Sequence, residues 1–169
     1  PANVEPGSAR LILNQDGTVN LMTGATEIGQ GADTAFAQMV SETLGVAYEN
    51  IHVISTQDTD ITPWDPGAYA SRQTYVSGMA CKKCGEELRG KILEYAAYML
   101  NHDLTDLSKT VYADQVKEAA GRLREALGLG ADEDVTVEML DIVDSKVVVS
   151  GGDPVLFDVA VVADTAFYS

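Results

Sequence analysis

Basic residues are scarce in this chain: 11 Lys and Arg stand against 26 Asp and Glu, a formal net charge of −15 over 169 residues. Nucleic acids and anionic membrane surfaces are held largely through Lys and Arg, so both are poor partners for such a surface. Long apolar runs are missing too. No stretch approaches the roughly 20 residues that a membrane-spanning helix needs, and the basic, apolar and small-residue pattern of a secretory leader is not seen. A cytoplasmic protein whose partners are small molecules or other proteins is the expectation. Cysteine and histidine are nearly absent. Cys81 and Cys84, in CKKC, offer two ligands where a closed zinc or iron–sulfur site wants four, and His52 and His102 are not spaced to complete it. The pair therefore reads as free thiols in a helical pattern. The acidic run Asp132, Glu133, Asp134, Glu138 and Asp141 lacks the alternating spacing and central glycine of a calcium loop, which leaves a solvated acidic face.

What is present is enough apolar material for a core, 46% of the residues, and a length that fits one globular domain, residues 1–169. ARLIL and TVNLM flank NQDG, where Asp16-Gly17 signals a hairpin turn. From Ala32, the positions Phe36, Met39, Val40 and Leu44 recur at helical spacing, and Gly45 has the place of a C-terminal cap. IHVIS is β-like, and QDTDITPWDPGAYASR is a long polar loop carrying the only Trp. A second helix follows, with Val76, Met79, Ala80, Leu88, Ile92, Ala96 and Met99 as its expected buried stripe, and Gly78 and Gly85 marking close packing. Val116, Ala120, Leu123 and Leu127 predict a further helix that stops at Gly128; VTVEM and SKVVV predict two strands around LDIVD. The fold class is α/β (α+β), helices packed on a mixed sheet. PANVEPGSAR at the start and ADTAFYS at the end read as mid-chain patterns, so a piece of a longer polypeptide is expected.

Two loops carry the chemistry. In GATEIGQGADT, Gly24 to Thr34, glycines lead straight into a helix whose first N–H groups can face an anion. GATEIG begins like a triphosphate loop, yet Gln30-Gly31 stands where Lys and Ser or Thr are required, and no dinucleotide fingerprint is present. Glu27 and Asp33 add negative charge beside the would-be anion site. Two readings remain open here. One is a strand-to-helix turn with Gln30 in water; the other sets backbone amides and the two-way Gln30 amide against an organic phosphate or the edge of a pterin, flavin or purine. The second loop, GAYASRQTYVSG, runs from small residues, Ala68 and Ala70, through Ser71, Arg72, Gln73 and Thr74 into a helix start.

Together, GATEIGQGADT and ISTQDTDITPWDPGAYASRQTYVSG resemble the molybdenum-binding large subunit of the xanthine dehydrogenase and aldehyde oxidase family, most of all its bacterial xanthine dehydrogenases. The resemblance is close from Ala9 to Ala80 and looser to Asn101. DVAVVADTAFYS is similar to a later family segment, and residues 109–144 match none. It implies part of a molybdopterin-binding domain, with a molybdenum-pterin cofactor at which an electron-poor ring carbon is hydroxylated, and electrons passing to [2Fe-2S] clusters and FAD in partner domains or subunits. Xanthine or a related purine or N-heterocycle is the implied substrate, and the remainder of the large subunit an implied partner. On this resemblance Ile28, Gly29 and Gln30 contact the pterin, Ala70 packs beside the metal, and Ser71, Arg72 and Gln73 continue the contact. The family's general-base glutamate lies in a segment with no counterpart here, and Glu27 is not that residue. The 169 residues alone are thus not expected to turn over a substrate. The competing reading is a stand-alone acidic interaction or scaffold domain, derived from such an enzyme, that has lost the cofactor.

Overall fold

The computed structural model describes residues 6–54, 58–102, 104 and 111–168, divided by their contacts into two compact units. The first comprises Pro1–Leu13 and Thr18–Leu88; the second comprises Asn14–Gly17 and Arg89–Ser169.

In the first unit, β1 (Ala9–Leu13) and β2 (Val19–Thr23) form the expected antiparallel hairpin, with Leu11 opposite Leu21. Gly17 closes its turn at φ 82°, donating to the Asn14 carbonyl at 3.0 Å. β3 (Ile51–Val53) pairs parallel with β2, so the sheet is mixed, as read. Parallel neighbours require a crossover, which α1 (Ala32–Leu44) supplies. Phe36, Val40 and Leu44, at i, i+4 and i+8, are fully buried together with Val19 and Leu21. Gly45 ends the helix at φ 83°, its N–H on the Ser41 carbonyl at 2.9 Å, so the C-terminal cap is as expected.

A π-helical turn, Gln73–Ser77, leads into α2 (Gly78–Asn101). Its glycines do meet α1: a Cβ on Gly78 would lie 2.8 Å from Met39 Sδ, and one on Gly85 would lie 3.3 Å from Thr43 Cβ. This closeness corrects the expected stripe. Met79 is 43% exposed, whereas Ser77 and Cys81 are fully buried. Helices that approach closely select small side chains, and a reading weighted by hydrophobic size passes over them. Burial, followed by the neighbouring Cys84, pushes the Cys81 thiol up to about 12, so it stays protonated and unreactive at neutral pH.

The second unit carries the end of α2, α3 (Ala113–Leu127), β4 (Leu140–Val143), β5 (Lys146–Val149), β6 (Val155–Asp158) and α4 (Val159–Tyr168). β4, β5 and β6 make a separate antiparallel sheet, where one mixed sheet was expected. The first of its strands is LDIV, and VTVEM is not a strand: Val137–Met139 forms a 3₁₀ turn. The reason is the turn Asp144-Ser145, both at positive φ (50° and 62°), which pairs Val143 with Lys146. Two consecutive positive φ angles give the twist that a two-residue hairpin loop needs. α3 stops at Gly128, φ 66°, and buries Val116, Ala119 and Leu123; Leu127 is 39% exposed. Within the acidic run, Asp141 pairs with Arg89, and Glu133 accepts from the Gly130 N–H at 2.6 Å. Among the described residues no helix is long and apolar enough to cross a membrane.

Candidate functional site

The glycine loop leaves β2 at Gly24, where side-chain space is nil. A Cβ there would fall 2.1 Å from the Pro63 carbonyl oxygen and 2.8 Å from the Asp65 N, so the second loop lies directly on the first. Further on, Gly29 and Gly31 take φ 95° and 81°, conformations in which glycine carries no steric penalty. These turns aim the Gly29, Gly31 and Asp33 N–H groups at one point. The chain's own carboxylate fills it: Glu27 Oε1 accepts from Gly29 at 2.6 Å and Gly31 at 3.1 Å, and Oε2 accepts from Asp33 at 3.1 Å. The anion expected at the start of α1 is thus a side chain of the same loop.

The backbone bonds, that from Asp33 first, hold the Glu27 carboxyl below its ordinary value of 4.5. A depressed carboxylate contributes stability that is present above its unfolded value and lost as pH falls through the folded one. The stability difference between wild type and Glu27→Gln should therefore be constant above pH 4.5 and narrow below it. Chemical denaturation of both variants across that window measures this, and a difference growing on acidification would contradict it.

Gln30 and Gln73 join the loops. Gln30 Oε1 accepts from the Ile28 N–H at 2.6 Å, and its Nε2 donates to the Thr26 carbonyl at 3.0 Å and to Gln73 Oε1. Gln73 Nε2 donates to the same Thr26 carbonyl at 2.9 Å. An amide has two N–H donors and two acceptor lone pairs. Counted among the described residues, one N–H and one Oε1 lone pair of Gln73 and one Oε1 lone pair of Gln30 are left over.

Asp65, which the sequence reading did not single out, organises the second loop. Its side chain is fully buried and accepts from Arg72 Nη1 at 2.6 Å, the Gly67 N–H at 2.9 Å and Ser77 Oγ at 3.0 Å. The Arg72 guanidinium also donates to the carbonyls of Gly67 at 2.8 Å and Pro6 at 3.0 Å, and lies 5.6 Å from the Tyr69 ring centre. So the cation expected to meet a ligand is turned inward and neutralised. Above it, Ala70 and Ser71 are exposed at φ 48° and 59°, left-handed backbone that only a constrained loop imposes on residues with a Cβ.

Both loops line one cavity of about 440 Å³, within the usual range for small-molecule sites. Ile28, Gln30, Ala70, Ser71, Arg72 and Gln73 are on its wall; Gly29 is not, although its N–H is tied to Glu27. The Ala70 side chain has no ligating atom, and among the described residues no group of three or more His, Cys, Asp or Glu is gathered to hold a metal ion. The local chemistry suits a flat, neutral, hydrogen-bonding edge better than a bare anion.

Residues 2–138 match the model of the molybdopterin cofactor-binding domain family. Over 108 residues the chain is 56% identical to the putative xanthine dehydrogenase molybdenum-binding subunit XdhA of Escherichia coli K12, covering 64% of this chain and 14% of that protein. Over 105 residues it is 37% identical to the probable hypoxanthine oxidase XdhD of the same organism, covering 62% and 11%. Among solved structures, quinoline 2-oxidoreductase from Pseudomonas putida 86 superposes with a TM-score of 0.66 over 96% of this chain and 16% of that one, at 22% identity, a likeness of fold.

Proposed function

Since this chain belongs to the molybdopterin cofactor-binding domain family, we propose that it forms part of the large subunit of a molybdenum hydroxylase acting on xanthine or a related purine or N-heterocycle. The 56% identity to a molybdenum-binding subunit is the observation that carries this reading. Both units would be parts of one cofactor-binding domain, and the rest of the subunit, with iron–sulfur and FAD partners, would complete a cytoplasmic enzyme.

The residues present fit the cofactor. Gln30 and Gln73 both line the cavity and keep unused acceptor and donor capacity, chemistry suited to the alternating edge of a pterin. Ala70 is small enough for a bulky centre to approach its backbone, and Arg72, neutralised by Asp65, shapes the wall without adding charge. When bound, the cofactor supplies the metal centre for hydroxylating a ring carbon. This chain's residues bind and orient it: Ile28 and Gln30 from one loop, Ala70 to Gln73 from the other. No residue here is assigned proton transfer.

The test is the molybdenum and pterin content of the full subunit, purified with its partners, for wild type and Gln30→Ala. Near-stoichiometric metal is expected in the wild type. Loss of one ligand hydrogen bond costs about 1 kcal/mol, or about fivefold in cofactor retention, with the melting temperature of the metal-free protein nearly unchanged. Wild-type protein without metal, from cells that load another molybdenum enzyme, would favour the acidic scaffold reading; unchanged retention in Gln30→Ala would remove Gln30 from the site.

A further inference from the structure

We propose that Glu27 is a positioning residue for Gln30, fixing which chemical face the glycine loop turns toward its ligand. The inference rests on the cofactor reading above and extends it to a residue outside the cavity wall. Glu27 holds the N–H groups of Gly29 and Gly31, the two neighbours of Gln30, on a single oxygen, and that of Asp33 on the other. Both glycines sit at positive φ, and a Cβ added to either would meet nothing within 4 Å, so hydrogen bonds rather than packing at the glycines hold this segment. Gln30 ties its own side chain to Ile28 and Thr26, and the Glu27 carboxylate holds the glycine N–H groups on either side of it.

Two consequences follow. Three N–H groups that a phosphate would seek here, those of Gly29, Gly31 and Asp33, are already taken by an internal anion, so the loop offers its ligand the Gln30 amide instead. And Gln30 meets Thr26 and Gln73 only because the backbone on either side of it is held. Without the carboxylate, the Gly29 to Gly31 backbone regains the wide conformational range of glycine, and the amide loses its aim.

A plain helix cap would stabilise the fold and do nothing more, so the test couples Glu27 to Gln30. In the full subunit with its partners, wild type, E27A, E27Q, Q30A and E27A/Q30A are compared by retained molybdenum and by hydrogen exchange of the peptide covering residues 26–34. E27A and E27Q should raise exchange of the loop amides about tenfold, the equivalent of one charge-assisted hydrogen bond, and should lower molybdenum retention about as much as Q30A does. The double variant should lose no more than Q30A alone, since a positioning effect vanishes once the positioned group is gone. Losses that multiply in the double variant, or full retention in E27A despite raised exchange, overturn the proposal. A wild-type subunit without molybdenum fails the cofactor reading itself; unchanged exchange in E27A fails the hold of Glu27 on the loop.

Discussion

Asp65→Ala is expected to destabilise the protein by about 3–5 kcal/mol, the range for removing one partner of a buried ion pair, and to abolish stable cofactor retention in the full subunit. The carboxylate is fully buried and satisfies three donors at once, Arg72, Gly67 and Ser77. Truncation leaves the Arg72 guanidinium, with 4% of its side chain exposed, facing a methyl group. A loss this large is a substantial fraction of the about 5–15 kcal/mol that holds a domain together. Asp65→Asn should fall between, keeping two neutral hydrogen bonds but not the charge. The control is the double variant Asp65→Ala, Arg72→Met, which removes both charges and should recover part of the loss. Thermal and urea unfolding of the full-length subunit measure this series. An Asp65→Ala variant within about 1 kcal/mol of wild type, by the same scale, would show that the pair is not what closes the loop.

Gly24→Ala should do comparable harm by a different route. The added methyl carbon would meet the Pro63 carbonyl oxygen at 2.1 Å, the Asp65 Cβ at 2.7 Å and the Asp65 N at 2.8 Å. Two of these atoms are backbone, so no rotamer change relieves the overlap. The loop from Pro63 to Asp65 has to lift, taking Asp65 away from Arg72, and overpacking of this kind costs about 1–3 kcal/mol or more. Gly90→Ala in α2 is the matching control, because nothing lies within 4 Å of its added carbon; replacing a helical glycine there should stabilise by about 0.5–1 kcal/mol. Melting temperatures of the two variants should move in opposite directions, and only Gly24→Ala should lose molybdenum. Gly24→Ala with wild-type stability would mean that the two loops do not touch at this point.

These expectations also mark where sequence reasoning reached and where it stopped. The Asp16-Gly17 turn, the Phe36, Val40, Leu44 stripe with its Gly45 cap, and the two loops are local patterns, in which residue type and spacing carry the whole signal. Six of the seven named loop residues lie on one cavity because contiguous motifs travel as units. Asp65 was illegible for the opposite reason. Within PWDPG it looks like any turn aspartate, and its burial depends on Arg72 folding back seven residues later to meet it. Glu27 beside glycines read as unwanted charge near an anion site; that it is itself the anion follows only from backbone angles. The Met79 error has another origin: Ser77 and Cys81 are fully buried while Met79 is 43% exposed, and a pattern weighted by hydrophobic size favours the methionine. LDIV was displaced by its neighbour because VTVEM has the stronger β composition, whereas the Asp144-Ser145 turn sets the register.

The Thr26 carbonyl, which takes a hydrogen bond from Gln30 at 3.0 Å and another from Gln73 at 2.9 Å, bears on when the site is made. Loops stitched by their own amides and carboxylates are ordered by folding itself, and the conformational entropy of that ordering is spent before any guest arrives. Binding then has little left to organise, and affinity is not diluted by a search among loop conformers. On the proposed cofactor reading, a pterin would then enter a cradle that folding has already set.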